Sequence, residues 1–173
     1  MKNKEVLSLI LRYLILLASG LGNLYIFYLV LTPLTVYSVY FILNLFFDSF
    51  LLSRDLIFIN GTSFRLINAC IAGSAYYLLL VLNLSTPKIQ IKTRIKSILF
   101  SFAAFFVINI IRILILILIL FISPQTFILT HKVFWYFLST IFLVFIWIAE
   151  IKIFKIKEIP FYSDIIFLKH QNS

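Results

Sequence analysis

The sequence is poor in nearly everything a water-soluble enzyme is built from. Charged residues occupy 12% of its 173 positions and hydrophobic ones 63%, whereas an ordinary soluble domain is about a quarter charged. A water-facing surface is excluded, so the composition assigns the chain to a bilayer. A single cysteine, Cys70, excludes an intrachain disulfide and any Cys-x-x-Cys knuckle. Two histidines, His131 and His170, and six acids offer little to a metal; no metal and no cofactor are expected. Acids are also few beside the fifteen Lys and Arg, leaving a formal charge of +9. The basic residues do not form an aromatic-interleaved surface, which argues against a nucleic-acid partner. They fall in short groups between apolar runs, the pattern of topology determinants and contacts with anionic headgroups.

What is present is long apolar stretches. A bilayer-crossing helix needs about 20 mostly apolar residues, and four runs qualify: 7–31, 66–84, 97–122 and a shorter 133–149, helped by interfacial His131, Lys132 and Trp147. The first follows Lys2 and Lys4 as a signal peptide would, but its apolar part is too long for one, and it is expected to be retained. Eleven basic residues fall at the N-terminus (Lys2, Lys4, Arg12), in the link 85–96 (Lys88, Lys92, Arg94, Lys96) and at the C-terminus (Lys152, Lys155, Lys157, Lys169). Three, Arg54, Arg65 and Lys132, fall on the other side. The positive-inside rule then predicts both termini in the cytoplasm.

Between the first two spans, residues 34–52 carry Tyr37, Tyr40, Asn44 and Asp48 at helical spacing. They are expected to form an amphipathic helix at the outer interface, joined to the first span through Thr32-Pro33. Asn60-Gly61 between two β-like runs predicts a hairpin leading into Cys70, and Asn60-Gly61-Thr62 is also a glycosylation triplet. The expected fold is therefore an all-α integral membrane protein with about four transmembrane helices, an outer interfacial helix and a short β-hairpin-like loop. Residues 1–155 would form the membrane domain and 156–173 a cytoplasmic tail that includes His170.

Arg112 lies inside the third run, where an arginine costs about 2.5–3.5 kcal/mol on insertion scales, and such charges usually face a bundle interior. At 1.5 Å per residue it stands about 27 Å above Arg94, close to the outer headgroups. Cys70 opens the second span, about 22 Å above its inner boundary, and His131 begins the fourth. Three helices thus bring Cys70, Arg112 and His131 to similar depth near the outer face. A thiol reacts as its thiolate, which a neighbouring cation favours. His131 is suited to take the proton and return it to a leaving amine, and Arg112 to stabilise the thiolate or an oxyanion. Asn109 precedes Arg112 by three residues on one helix face; Asn68, Ser74 and Tyr77 lie near or on the face of Cys70 and complete the supporting set. Asp48 and Asp55 are candidates for orienting His131.

This order of residues resembles the exosortase/archaeosortase family, membrane cysteine enzymes with Cys, Arg and His on successive helices near the outer face. The resemblance rests on INGTSFRLINACIAG, AFFVINIIRILI and THKVFWYFLSTIFLVFIWI, covers roughly residues 30 to 150, and points to the small archaeal branch. It implies Cys70 as nucleophile, His131 as acid/base and Arg112 as transition-state stabiliser. Where the family usually has Ala-Cys-Ser/Thr-Gly, this chain has Ala69-Cys70-Ile71-Ala72-Gly73. It further implies a transpeptidase or protease that cleaves C-terminal sorting signals of exported proteins at the outer face. Its partners would be substrates bearing a motif, a transmembrane helix and a basic tail, and a lipid-like acceptor. The alternative is a non-enzymatic membrane scaffold or subunit of an export complex, with Cys70 as packing. A small transporter is disfavoured by the lack of repeats and interrupted span pairs.

Overall fold

The computed structural model describes residues 2–160 and Tyr162; Lys169 and His170, with most of the expected cytoplasmic tail, lie outside the described residues. The chain is mostly helical. In order it forms α1 (Lys2–Gly20), α2 (Tyr25–Asn44), β1 (Ser49–Leu51), β2 (Leu56–Ile59), β3 (Thr62–Arg65), α3 (Asn68–Ile71), α4 (Gly73–Leu84), α5 (Ile91–Ile122), α6 (Pro124–Val133) and α7 (Ser139–Phe154). A π-helical turn, Phe134–Leu138, joins α6 to α7.

Side-chain contacts order these helices into four passes of one bundle. Arg12 Nη1 donates to the Leu84 carbonyl (2.8 Å) and Tyr77 Oη to that of Leu16 (3.2 Å), so α1 runs antiparallel to α4. The chain then continues in the same direction: Phe27 meets Tyr77 and Phe102, and Phe47 stacks on Phe121 near the end of α5. Thus α1 and α2 make one broken pass, α3 and α4 the return, α5 the third, and α6 through α7 the fourth. One end carries the sheet; the other carries Lys88, Lys92, Lys96, Lys152, Lys155 and Lys157.

This arrangement corrects the expected first span and interfacial helix. The run 7–31 is broken at 21–24, where Gly22, Asn23 and Leu24 all adopt positive φ (68°, 55° and 60°). Glycine and asparagine tolerate that region; three such residues in succession end a helix. Residues 34–44, expected at the interface, are the second half of α2, and Pro33 lies inside that helix rather than in a connection. Residues 49–51, expected as helix, are strand β1. Because the break does not reverse the chain, Cys70 lies at the sheet end.

The hairpin forms as expected. Asn60 and Gly61, with φ of 46° and 83°, make the tight turn between β2 and β3, and β1 adds an antiparallel third strand on the other edge of β2. Alternation buries Ile57, Ile59 and Phe64, and Phe64 packs edge-on against Phe121, seating the sheet on the end of α5.

The distribution of polarity is the reverse of a soluble protein's. Arg112, Asn109, Asn83, Ser97, Ser101, Thr35 and Glu150 are buried, while many Leu, Ile and Phe side chains are more than half exposed. Three helical stretches are long and apolar enough to cross a membrane: Tyr25–Asn44, Ile91–Ile122 and Pro124–Phe154. The other two apolar helices, Val6–Gly20 and Asn68–Leu84, are shorter.

Candidate active site

Cys70 lies in the single turn of α3. That turn ends because Ala72 takes a left-handed conformation (φ 58°, ψ 39°), after which α4 starts at Gly73. A helix that stops after one turn leaves main-chain carbonyls without intrahelical donors. The chain supplies the donors from α5. Arg112 Nη2 donates to the carbonyls of Ala69 (3.0 Å) and Cys70 (3.2 Å), and Asn109 Nδ2 donates to that of Cys70 (3.0 Å). Arg112 and Asn109 share a face because they are three residues apart. Arginine suits this task better than lysine, since its planar fork serves several acceptors at once.

The other arm of the guanidinium reaches α7. Nη1 donates to Ser139 Oγ (2.9 Å), and Ser139 Oγ donates in turn to the Phe134 carbonyl (2.9 Å). Ser139 thus ties the π-helical turn to Arg112. Among the described residues Arg112 has no acidic partner; carbonyl and hydroxyl dipoles hold it. It is 4% exposed, Asn109 1%, and Cys70 is half-buried.

His131 is on α6, half-buried, its ring stacked on Phe127 at 5.6 Å between centroids. Its Nδ1 is buried with no hydrogen-bond partner among the described residues. Ser139, which touches Arg112, is eight residues further along the same helical pass, so His131 stands about 12 Å nearer the sheet end at helical rise. The structure therefore joins Cys70, Asn109 and Arg112 by direct hydrogen bonds, whereas His131 stands apart, nearer the sheet, and makes no hydrogen bond to them.

The remaining expected residues divide. Asn68 starts α3, is exposed, and its carbonyl accepts from the Ala72 N–H (3.0 Å). Ser74 is exposed. Tyr77 is committed elsewhere, to Leu16 of α1. Asp55 pairs with Arg65 (3.4 Å) and accepts from Ser53 (2.7 Å) rather than orienting His131; Asp48 is exposed. Two residues were missed. Ser139 reads as one more small polar residue in an apolar helix, and equal counting from the turn at Ser123 would set Phe134, not Ser139, level with Arg112, so no signal in the sequence pointed to this contact. Tyr76, beside the expected Tyr77, is 1% exposed, packs against Phe102 and Phe105, and has a hydroxyl with no hydrogen-bond partner among the described residues.

An open groove of about 500 Å³ runs up to this region, lined by Thr32, Asp55 and residues 66–69, and so ends one residue short of Cys70. No group of three or more metal-ligating side chains occurs among the described residues. No protein-family model matches the chain, and neither a curated protein nor a solved structure shows detectable similarity to it.

Proposed function

We propose that this chain is a membrane-embedded cysteine transpeptidase or protease of the exosortase/archaeosortase type, crossing the bilayer four times with both termini inside and the sheet end outside. The observation that carries the reading is the bridge from Arg112 to the main chain at Cys70, reinforced by Asn109. An arginine buried in an apolar bundle is expensive and functional by default, and here it is spent at the one cysteine. A second detail supports the resemblance. Position 72, where the family usually has glycine, adopts the left-handed conformation that glycine accommodates best.

In this mechanism a sorting signal lies in the groove beside residues 66–69 with its scissile carbonyl at Cys70. Once substrate binding brings His131 down to the sulfur, His131 takes the thiol proton, the sulfur attacks the carbonyl carbon, and the C–N bond breaks as His131 returns the proton to the leaving amine. The thioester is then resolved by a hydroxyl or water, freeing the thiol. Arg112 holds the Cys70 main chain in place and supplies positive charge as negative charge develops. Co-expression with a tail-bearing exported protein tests this: Cys70→Ala abolishes processing, and unchanged processing in that variant defeats the proposal.

One observation favours a second reading, a non-catalytic membrane scaffold. Both terminal nitrogens of Arg112 are engaged by the protein itself, as in an arginine that only braces a helix break. A scaffold predicts that Cys70→Ala is silent while Arg112→Leu disrupts a complex recoverable by pull-down.

A further inference from the structure

At the basic end, far from Cys70, the turn after α7 folds back toward the link between α4 and α5, and the two border a half-open pocket of about 310 Å³. That volume is at the lower end of ligand pockets, roughly 300–1,000 Å³. Lys88, Lys155 and Lys157 line it together with Glu158, while Gln90 and Thr93 add neutral polar groups. Glu158 pairs with Lys88 at 3.3 Å. Lys155 and Lys157 have no acidic partner among the described residues, so the pocket keeps a surplus of positive charge. Lys88 and Lys155 both adopt left-handed backbone (φ 56° and 52°), which turns the chain sharply on either side of the pocket.

We propose that this pocket binds the phosphate-bearing headgroup of an anionic membrane lipid. The inference rests on the bilayer-spanning reading, since it puts the pocket at the inner headgroup level, where basic recesses between transmembrane helices take acidic lipids. The lining is mixed: lysines meet Pro87, Ile89, Phe154 and Ile156. A free phosphate needs only the first; a headgroup with its glycerol and the start of an acyl chain uses both. The first turn of α5 opens on the same space without a side-chain cap or an acidic residue, so nothing there competes with an anion.

The test is thermal unfolding of the full chain in neutral detergent with added phosphatidylglycerol, phosphatidylcholine or inorganic phosphate. Phosphatidylglycerol is expected to raise the midpoint by several degrees, saturably, with the rise collapsing at high ionic strength as exposed charge contacts do. Lys155→Glu with Lys157→Glu removes the rise, whereas Lys132→Glu on α6 keeps it. If the double variant does not fold, Lys155→Gln alone is expected to reduce the rise. Equal shifts with phosphatidylcholine, or a rise that survives the lysine changes, overturn the proposal. An equal shift with inorganic phosphate overturns the lipid assignment. Cys70→Ala keeps the full rise, so failure of lipid binding and failure of the processing reaction are separate results.

Discussion

Arg112 Nη2 donates to the main-chain carbonyl of Cys70 at 3.2 Å, so the bond between these two residues does not depend on the cysteine side chain. Any residue at position 70 presents the same oxygen. Cys70→Ala is therefore expected to unfold within about 1 kcal/mol of the parent, the scale of losing one small buried group, while losing all processing. Thermal unfolding alongside the processing assay checks both halves. A large destabilisation would show that the thiol itself holds the break between α3 and α4.

Arg112→Lys is expected to fail although charge is conserved. A single ammonium cannot reach the carbonyls of Ala69 and Cys70 and the hydroxyl of Ser139 together. At least one buried acceptor is left bare, at about 1–3 kcal/mol. Processing is expected to fall about a hundred-fold or more, the scale seen when an oxyanion donor is removed. A lysine variant of normal stability and rate would show that charge alone matters at this position.

Ser139→Ala removes one partner of Arg112 and the hydroxyl that serves the Phe134 carbonyl in the π-helical turn. A loss of about 1–3 kcal/mol is expected, with slower alkylation of Cys70 because the guanidinium is freed to move. Ser139→Thr keeps the hydroxyl and is expected to restore most of both. Unfolding and alkylation rates on the three proteins decide it.

Ala72→Gly is expected to stabilise the protein. Left-handed backbone costs an L-residue about 1–2 kcal/mol, and glycine relieves that at the price of a freer unfolded chain, leaving a gain of up to about 1 kcal/mol. Gly73→Ala has the opposite sign, because its Cβ would lie 2.9 Å from the Tyr28 ring. Overpacking of that kind costs about 1–3 kcal/mol, and Tyr28→Leu is expected to recover part of it. Unfolding midpoints of the four proteins test both statements.

Much of this arrangement was legible because bilayer physics leaves few choices. Hydropathy located the apolar stretches that form α4 and α5, and Asn60-Gly61 announced its own turn. The α1–α2 break was misplaced for an identifiable reason. Proline looked like the stronger helix breaker, but Pro33 removes one N–H and α2 runs through it, whereas Gly22-Asn23-Leu24 turns the backbone left-handed three times. Helical rise brought Arg112 to Cys70 correctly. It could not show that the contact is with carbonyls, because those oxygens become acceptors only where α3 stops, and nothing in Ile71-Ala72 demands a stop. Nor could depth alone fix His131, since the π-helical turn and the length of α6 set its height above Ser139.

The most direct measurement is the rate at which a membrane-impermeant maleimide labels Cys70 in sealed cells, with Arg112→Ala and His131→Ala beside the parent. The account predicts rapid labelling of the parent and clearly slower labelling of both variants, since an outward-facing thiolate depends on its neighbouring cation and base. Labelling that begins only after the membrane is dissolved, or that is indifferent to both substitutions, would contradict it and leave Cys70 a packing residue in a scaffold.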